Sequence, residues 1–333
     1  KRLLIPRFTS FRNISSDRKT YAQITQELSE DKVRNEFVME DVKVAIQKGR
    51  TPLVLTTRTA HVKVLAQMLM PFADHVIQLI GADSAKEKRL ALQNLQSIPT
   101  SESLVIVATG KYVGEGFDYP RLDTLFLTMP IAWKGNVEQY AGRLHREYEG
   151  KSEVCIYDYV DIRVPLCDSM YRKRLKGYIK AGYGKNVASP APDKNPQELI
   201  YEQNNYEAAF RNDLVKAKHS VVIAVPKVKF KYKPSIMFVL ANLLHDGVSV
   251  VVHVKEEGAN EIELSNAGMD VVCNKEQTLQ CAVIDKAIVW YGNINFFGYN
   301  SETNNVMRIA DHKIANEMME ILYSATENKV NGG

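Results

Sequence analysis

LVIVATGKYVGEGFDYPRLDTLFLTMPIAWKGNVEQYAGRLHR, residues 104–146, decides how the rest of the chain is read. Leu104 to Ala108 is an unbroken apolar run, the pattern of a strand buried on both faces. The chain then turns through Thr109-Gly110 and reaches Gly114-Glu115-Gly116-Phe117-Asp118. A second apolar run, Thr124 to Met129, predicts the next strand. Asn136 to Arg146 predicts a helix that carries Gln139, Gly142, Arg143 and Arg146. Two arginines on a rigid element suit a polyphosphate, because a guanidinium stays charged and donates in a planar fork.

Working outward, the same alternation holds on both sides. Thr51 to Thr57 and Val76 to Ile80 read as strands, and Val33 to Lys48, His61 to Met70 and Ala85 to Gln96 as helices. Glu153 to Asp158 is the next strand. Leu166 to Ala181 is a helix whose sequence is basic, with Arg172, Lys173, Arg174, Lys176 and Lys180. Strands alternating with helices imply a parallel sheet with right-handed crossovers. Near the start, Ile5 to Phe8 reads as extended and Tyr21 to Leu28 as a short helix. Gly182 to Gln197 is rich in glycine and proline and poor in apolar residues, which predicts a linker. A second α/β pattern comes after it: helix Tyr206 to Lys218, strand Ser220 to Val225, helix Pro234 to His245, strand Val248 to Val254. Next are a short helix Ile262 to Ala267, a strand Met269 to Cys273 and a pair Leu279 to Ile284 and Ala287 to Tyr291. Strand Val306 to Ala310 and helix Lys313 to Thr326 close it.

The totals exclude several classes. The chain has 333 residues, room for two cores, and its 45% apolar and 25% charged content is ordinary for a globular protein. A net charge of +4 permits an anionic partner without demanding one. Cys155, Cys167, Cys273 and Cys281 are far apart, which argues against a zinc site or a disulfide framework and predicts a reducing, cytoplasmic setting. No apolar run approaches the ~20 residues of a membrane span. The chain begins at Lys1, and the motifs predict that it is a fragment.

Thr109 to Asp118 resembles motif V of the superfamily two helicases and translocases, and Gln139-x-x-Gly142-Arg143-x-x-Arg146 resembles their motif VI. The two occur in order at the expected separation. The resemblance implies a RecA-like lobe, the second of two that clasp ATP and Mg²⁺. The phosphate loop G-x-x-x-x-G-K-[ST] is absent; at its nearest relic, Gly150-Lys151-Ser152, the leading glycine position holds His145. The first lobe would hold the nucleotide, and Arg143 and Arg146 would reach across as arginine fingers. Gln139 would sense the nucleotide or the attacking water. Glu115, Gly116 and Asp118 would lie near the ribose. Nucleic acid, with DNA favoured over RNA, would contact Thr57 and Arg58, Gly81, and Thr109 and Gly110 through its phosphates. For Thr57 and Arg58 a plain strand-end turn is an equal alternative. Arg89 reads as a solvated or structural helix charge. Gly114-Glu115-Gly116 is no dinucleotide loop, since Tyr119 stands at the third glycine position.

In the second half, Asp285 followed seven residues on by Gly292-Asn293-Ile294-Asn295 resembles the phospholipase D-like signature H-x-K-x-x-x-x-D and G-S-x-N. The histidine position is Thr278, the lysine position Gln280 and the serine position Asn293. None can act as that family's nucleophile or phosphate cation. The resemblance implies a degenerate site of Thr278, Gln280, Asp285, Asn293 and Asn295. His253-Val254-Lys255 is also H-x-K, but no G-S-x-N comes after it and a structural reading is favoured. His312-Lys313 reads as a solvated helix start. Lys227, Lys229, Lys231 and Lys233 alternate with Val228, Phe230 and Tyr232, which suits either a nucleic-acid track or a lysine-guarded edge.

The expected fold is α/β throughout. The boundaries are an interlobe arm and leading helix at 1–48, a RecA-like domain at 49–181, a linker at 182–197 and a degenerate phospholipase D-like domain at 198–333. The expected function is the C-terminal part of an ATP-dependent helicase or translocase, with the second domain serving binding or homodimerisation. The alternatives are a phospholipase D-like nuclease subunit of a defence system and a non-catalytic binding module. No membrane partner is expected.

Overall fold

The computed structural model describes residues 1–12, 19–81, 84–114, 117–132, 137–183, 200–202, 205–229, 234–298, 300 and 304–327. Glu115 and Gly116, residues 230–233 of the lysine-aromatic alternation, and most of the predicted linker lie outside these. The chain divides into two compact units, residues 1–188 and 189–333.

The first unit runs β1 (Arg2–Phe8), α1 (Tyr21–Glu30), α2 (Lys32–Gln47), β2 (Pro52–Thr56), α3 (Thr59–Leu69), β3 (His75–Leu79) and α4 (Ala85–Ser97). It continues with β4 (Leu104–Thr109), the single turn α5 (Gly110–Gly114), β5 (Thr124–Leu127), α6 (Glu138–Leu144), β6 (Val154–Val160) and α7 (Pro165–Lys180). The sheet order is β1-β6-β5-β2-β4-β3 and every pairing is parallel. Parallel strands are buried on both faces, which is why these strands read as unbroken apolar runs rather than alternations. On one face Val54, Val105, Val107 and Phe126 pack under Val38, Val42 and Ala45 of α2 and Val62, Leu65 and Leu69 of α3.

Residues 2–8, at the start of the expected arm, form β1, which pairs with β6 over its whole length, from Arg2 against Val154 to Phe8 against Val160. Three ion pairs, each with both partners buried, fasten β1 to α2 and both α2 and α7 to the sheet. Arg7 reaches Asp41 at 2.7 Å, Arg34 grips Asp161 at 2.8 and 3.0 Å, and Arg174 grips Asp158 at 2.8 and 2.7 Å. Each carboxylate takes a further hydroxyl, from Tyr159, Thr9 and Tyr178 respectively, so the desolvated charge is hydrogen-bonded as well as paired. Arg174 therefore does not belong to the basic surface that the composition of its helix suggests.

The second unit runs β7 (Ile200–Glu202), α8 (Tyr206–Val215), β8 (Ser220–Ala224), α9 (Pro234–His245), β9 (Ser249–Val254) and α10 (Ala259–Asn266). It ends with β10 (Asp270–Cys273), β11 (Cys281–Ile284), β12 (Ile288–Gly292), β13 (Asn305–Ala310) and α11 (His312–Glu327). Its sheet is mixed, in the order β10-β9-β8-β11-β12-β13-β7: the first three strands are parallel and the rest antiparallel. One face buries Trp290, Ile223, Val252 and Val306 against Tyr206, Phe210 and Leu240. There Asp213 receives both the Arg308 fork, at 2.6 and 2.9 Å, and the Trp290 indole N–H at 2.8 Å.

Candidate nucleotide and nucleic-acid interface

In an open parallel sheet the loops beyond the carboxyl ends of the strands form the crevice where ligands bind. At that end of the first unit the residues singled out by sequence fall in a row. Gly81 follows β3, Thr109 and Gly110 close β4, and Thr57 and Arg58 follow β2, three strands adjacent in the sheet. Thr56 is in register with Thr109 across the central pair. The Gly81 N–H donates to the Thr109 hydroxyl at 2.9 Å, which ties the turn after β3 to the end of its neighbour β4. Thr57 is exposed and Arg58 partly so; Arg58 donates through Nη1 to the Ala22 carbonyl at 3.3 Å.

The glycine-rich stretch after β4 is not a plain loop. Its first five residues wind one helical turn, α5, because Tyr112 and Val113 are buried and Phe117 follows them into the core. Tyr112 and Phe117 meet edge to face at 6.0 Å between centroids. This leaves Asp118 at the surface.

Helix α6 shows why Gln139, Gly142, Arg143 and Arg146 belong together. They recur at intervals of three and four residues, one face of a helix, while Tyr140, Ala141 and Leu144 are buried on the other. Gln139, Gly142 and Arg146 are exposed and Arg143 is half-buried. The helix proper is shorter than the predicted 136–146, and Arg146 stands just beyond its C-cap, His145. Arg146 Nε lies 3.4 Å from Asp118 Oδ1, an exposed pair that contributes little stability. Its effect is to bring the ends of the two motif-like segments together.

The supports of this helix are not legible in sequence. Tyr140 donates its hydroxyl to the Gly110 carbonyl at 3.0 Å. A Cβ at position 110 would lie 2.5 Å from that hydroxyl, so glycine is needed for the close approach. Ahead of the helix, Arg174 Nη1 donates to the Ile131 carbonyl at 2.8 Å. Behind it, His145 Nε2 meets the Tyr183 hydroxyl at 3.0 Å and the rings stack. Burial, followed by the Arg2 and Lys151 charges, lowers the His145 pKa to about 4, so the ring is neutral near pH 7. Lys151 Nζ bridges the carbonyls of Pro120 and Arg146 at 2.8 and 2.7 Å. Most of these partners lie far off in sequence, and no local spacing signals them.

In the second unit the signature positions separate into two groups. Thr278 is exposed and Gln280 half-buried at one end of β11, next to Asn293 and Asn295 after β12. Asn293 Oδ1 accepts from Asn305 N at 2.7 Å; Asn295 Nδ2 donates to the Lys227 carbonyl at 3.0 Å and its Oδ1 accepts from Phe297 N at 3.0 Å. Both act as loop staples. Asp285 does not join them. It sits beyond the other end of β11, on the order of 16 Å away by strand rise. With φ +52° it begins the β11–β12 turn, and its carboxylate accepts the N–H groups of Lys218, His219 and Ser220. Burial pushes its pKa up, but those three amides together outweigh burial and hold it below the ordinary value. It braces a turn at the opposite end of the strand from the other signature positions.

His253 is buried under α11, edge to face with Tyr323 at 5.1 Å, and its Nε2 has no partner among the described residues. His312 starts α11, but the cap is Asp311, which accepts from Lys313 N and Ile314 N at 2.8 and 3.0 Å. Among the described residues no group of three or more acidic, histidine or cysteine side chains is placed to hold a metal, and no helix is long and apolar enough to cross a membrane.

No family model matches the chain. It is 26% identical over 188 residues to transcript termination protein A18 of vaccinia virus, strain Ankara, covering 56% of this chain and 35% of that protein. It is 25% identical over 151 residues to the A18 protein of Yaba-like disease virus, covering 44% and 30%. The chain thus spans about a third of the length of these curated relatives. Among solved structures it is similar to T4 UvsW, with 16% identity, a TM-score of 0.42, and coverage of 54% of this chain and 38% of that one. It is also similar to the phospholipase D family member Nuc of Salmonella typhimurium, with 20% identity, a TM-score of 0.34, and coverage of 38% and 91%.

Proposed function

We propose that the chain is the arginine-bearing part of a nucleic-acid motor of the helicase or translocase type, driven by ATP. The observation that carries this reading is the Tyr140–Gly110 hydrogen bond. It locks the motif V-like turn to the motif VI-like helix, which presents Gln139, Gly142 and Arg143 on its unburied side with Arg146 just beyond its end. The likeness to proteins named for transcript termination supports a nucleic-acid partner.

In this reading a separate lobe holds ATP and Mg²⁺. The residues here suit the complementary role. Arg143 on the braced helix and Arg146 just beyond its C-cap carry accessible guanidinium groups, matched to the charge that develops on a transferring phosphate. Asp118 pairs with Arg146 until the phosphate replaces it. Thr57, Arg58, Gly81, Thr109 and Gly110 take the nucleic-acid phosphates, which set register without reading sequence. The second unit binds or dimerises without cleaving, because Thr278 and Gln280 offer neither nucleophile nor cation.

The test joins the chain to a lobe bearing a phosphate loop and measures nucleic-acid-stimulated ATP turnover. Arg143→Ala and Arg146→Ala should each lower turnover by about 10³-fold with melting unchanged. Turnover within about tenfold of the parent rules the finger assignment out. The 333-residue chain by itself should hydrolyse no ATP.

A further inference from the structure

Tyr21 is not among the residues that any motif singles out, yet it stands beside the strand ends that the proposed function assigns to nucleic-acid phosphates. It is the first residue of α1, whose start is fixed by a reciprocal cap: Gln23 N donates to Thr20 Oγ1 at 3.3 Å and Thr20 N to Gln23 Oε1 at 2.8 Å. The Tyr21 hydroxyl donates to the Pro130 carbonyl at 3.1 Å, in the loop between β5 and α6, and lies beside the Thr57 side chain beyond β2. Next to it, Arg58 is held on the Ala22 carbonyl. The phenol end is therefore tied at the end of β5, beside the end of the adjacent strand β2, while Tyr21 keeps 41% of its surface exposed.

An exposed aromatic in a folded core's outer shell needs no explanation by itself. This one differs because its hydroxyl is already tied down and a cation and a hydroxyl suited to phosphate lie at its side. A ring immobilised before binding loses little conformational freedom when a base stacks on it, and stacking accepts any base. We propose that Tyr21 is a base-stacking platform: it takes the face of a nucleobase whose backbone phosphate is held by Thr57 and Arg58. The proposal rests on the nucleic-acid reading of those strand ends and adds a sequence-independent contact to the base itself.

The experiment titrates the whole chain with two fluorescent single-stranded oligonucleotides of one length. One carries bases throughout and the other carries a run of abasic sites. Tyr21→Leu should weaken binding of the base-bearing strand about tenfold and leave the abasic strand unchanged, within the range found for base–aromatic contacts. Tyr21→Phe, which keeps the ring but loses its tether, should bind the base-bearing strand at a strength between the parent and Tyr21→Leu and the abasic strand as the parent does. Tyr21→Trp should bind at least as tightly, with indole fluorescence quenched on the base-bearing strand beyond any quenching in the parent. The proposal is overturned if Tyr21→Leu binds the base-bearing strand like the parent, if Tyr21→Phe is as weak as Tyr21→Leu, or if Tyr21→Trp shows no added quenching. Should the parent bind neither strand, or Arg58→Ala bind both unchanged, the nucleic-acid reading itself falls and this platform with it.

Discussion

Tyr140 and Gly110 are joined by a 3.0 Å hydrogen bond across thirty residues of sequence, with no space between them for a side chain. Gly110→Ala must push the Tyr140 ring away, and with it the arginine face of α6. Tyr140→Phe removes only the bond, at a cost of about 1 kcal/mol. With the chain joined to a phosphate-loop lobe as in the proposed function, we expect Gly110→Ala to lower ATP turnover at least tenfold and Tyr140→Phe to lower it less, both with near-parental melting. A turnover loss larger for Phe than for Ala would show that close packing is not what sets the geometry.

Asp158 is fully buried and takes both arms of Arg174 as well as the Tyr178 hydroxyl. Asp158→Ala strands a buried guanidinium. The loss should be about 3–5 kcal/mol, a large part of a typical domain's stability. Urea denaturation of the variant checks it. A loss below about 1 kcal/mol would mean that water reaches Arg174.

Burial lowers the His253 pKa to about 4, from an unfolded value near 6.5. The unfolded state therefore binds the proton first as pH falls. The stability of the neutral ring is fully present above pH ~6.5 and is lost as pH drops from there through about 4. The loss is on the order of 3 kcal/mol at most. Denaturation of the second unit, followed by a probe specific to it across this window, should show the slope, and His253→Phe should flatten it. An equal slope in both would remove His253 from the acid response.

A Cβ on Gly292 would lie 2.3 Å from the Asn305 carbonyl and 2.7 Å from Val306 Cα, both backbone atoms of the paired strand β13. Backbone cannot rotate aside as a side chain can. Gly292→Ala should destabilise the second unit by about 1–3 kcal/mol or more, with early amide exchange in β12 and β13. Parental stability would show that the strands can part freely.

The α/β alternation is legible because strands buried on both faces announce themselves as apolar runs. Arg2 to Phe8 does not read as a sheet strand, since Arg2, Pro6 and Arg7 break the run and its pairing with β6 is the most distant in that unit. The three residues of β7 are too few for any periodicity. The buried arginines are invisible for a different reason. Arg34 and Arg308 look like surface charges until Asp161 and Asp213, 127 and 95 positions away, are brought to them by the fold. At the candidate site, helical spacing is enough to group Gln139, Gly142, Arg143 and Arg146. It cannot reveal Tyr140, Arg174 or Lys151 as braces. Asp285 groups with the phospholipase D-like positions in sequence because a linear motif records separation along a strand, not which end of it a residue occupies.

The row of strand ends at β3, β4 and β2 also acts as a ruler. Hydrogen-bonded strands lie about 4.8 Å apart, so three ends span about 10 Å. The pitch is fixed by backbone pairing rather than by the side chains, so substitutions at Thr57, Gly81 or Thr109 can change which groups the row presents but not the spacing at which it presents them.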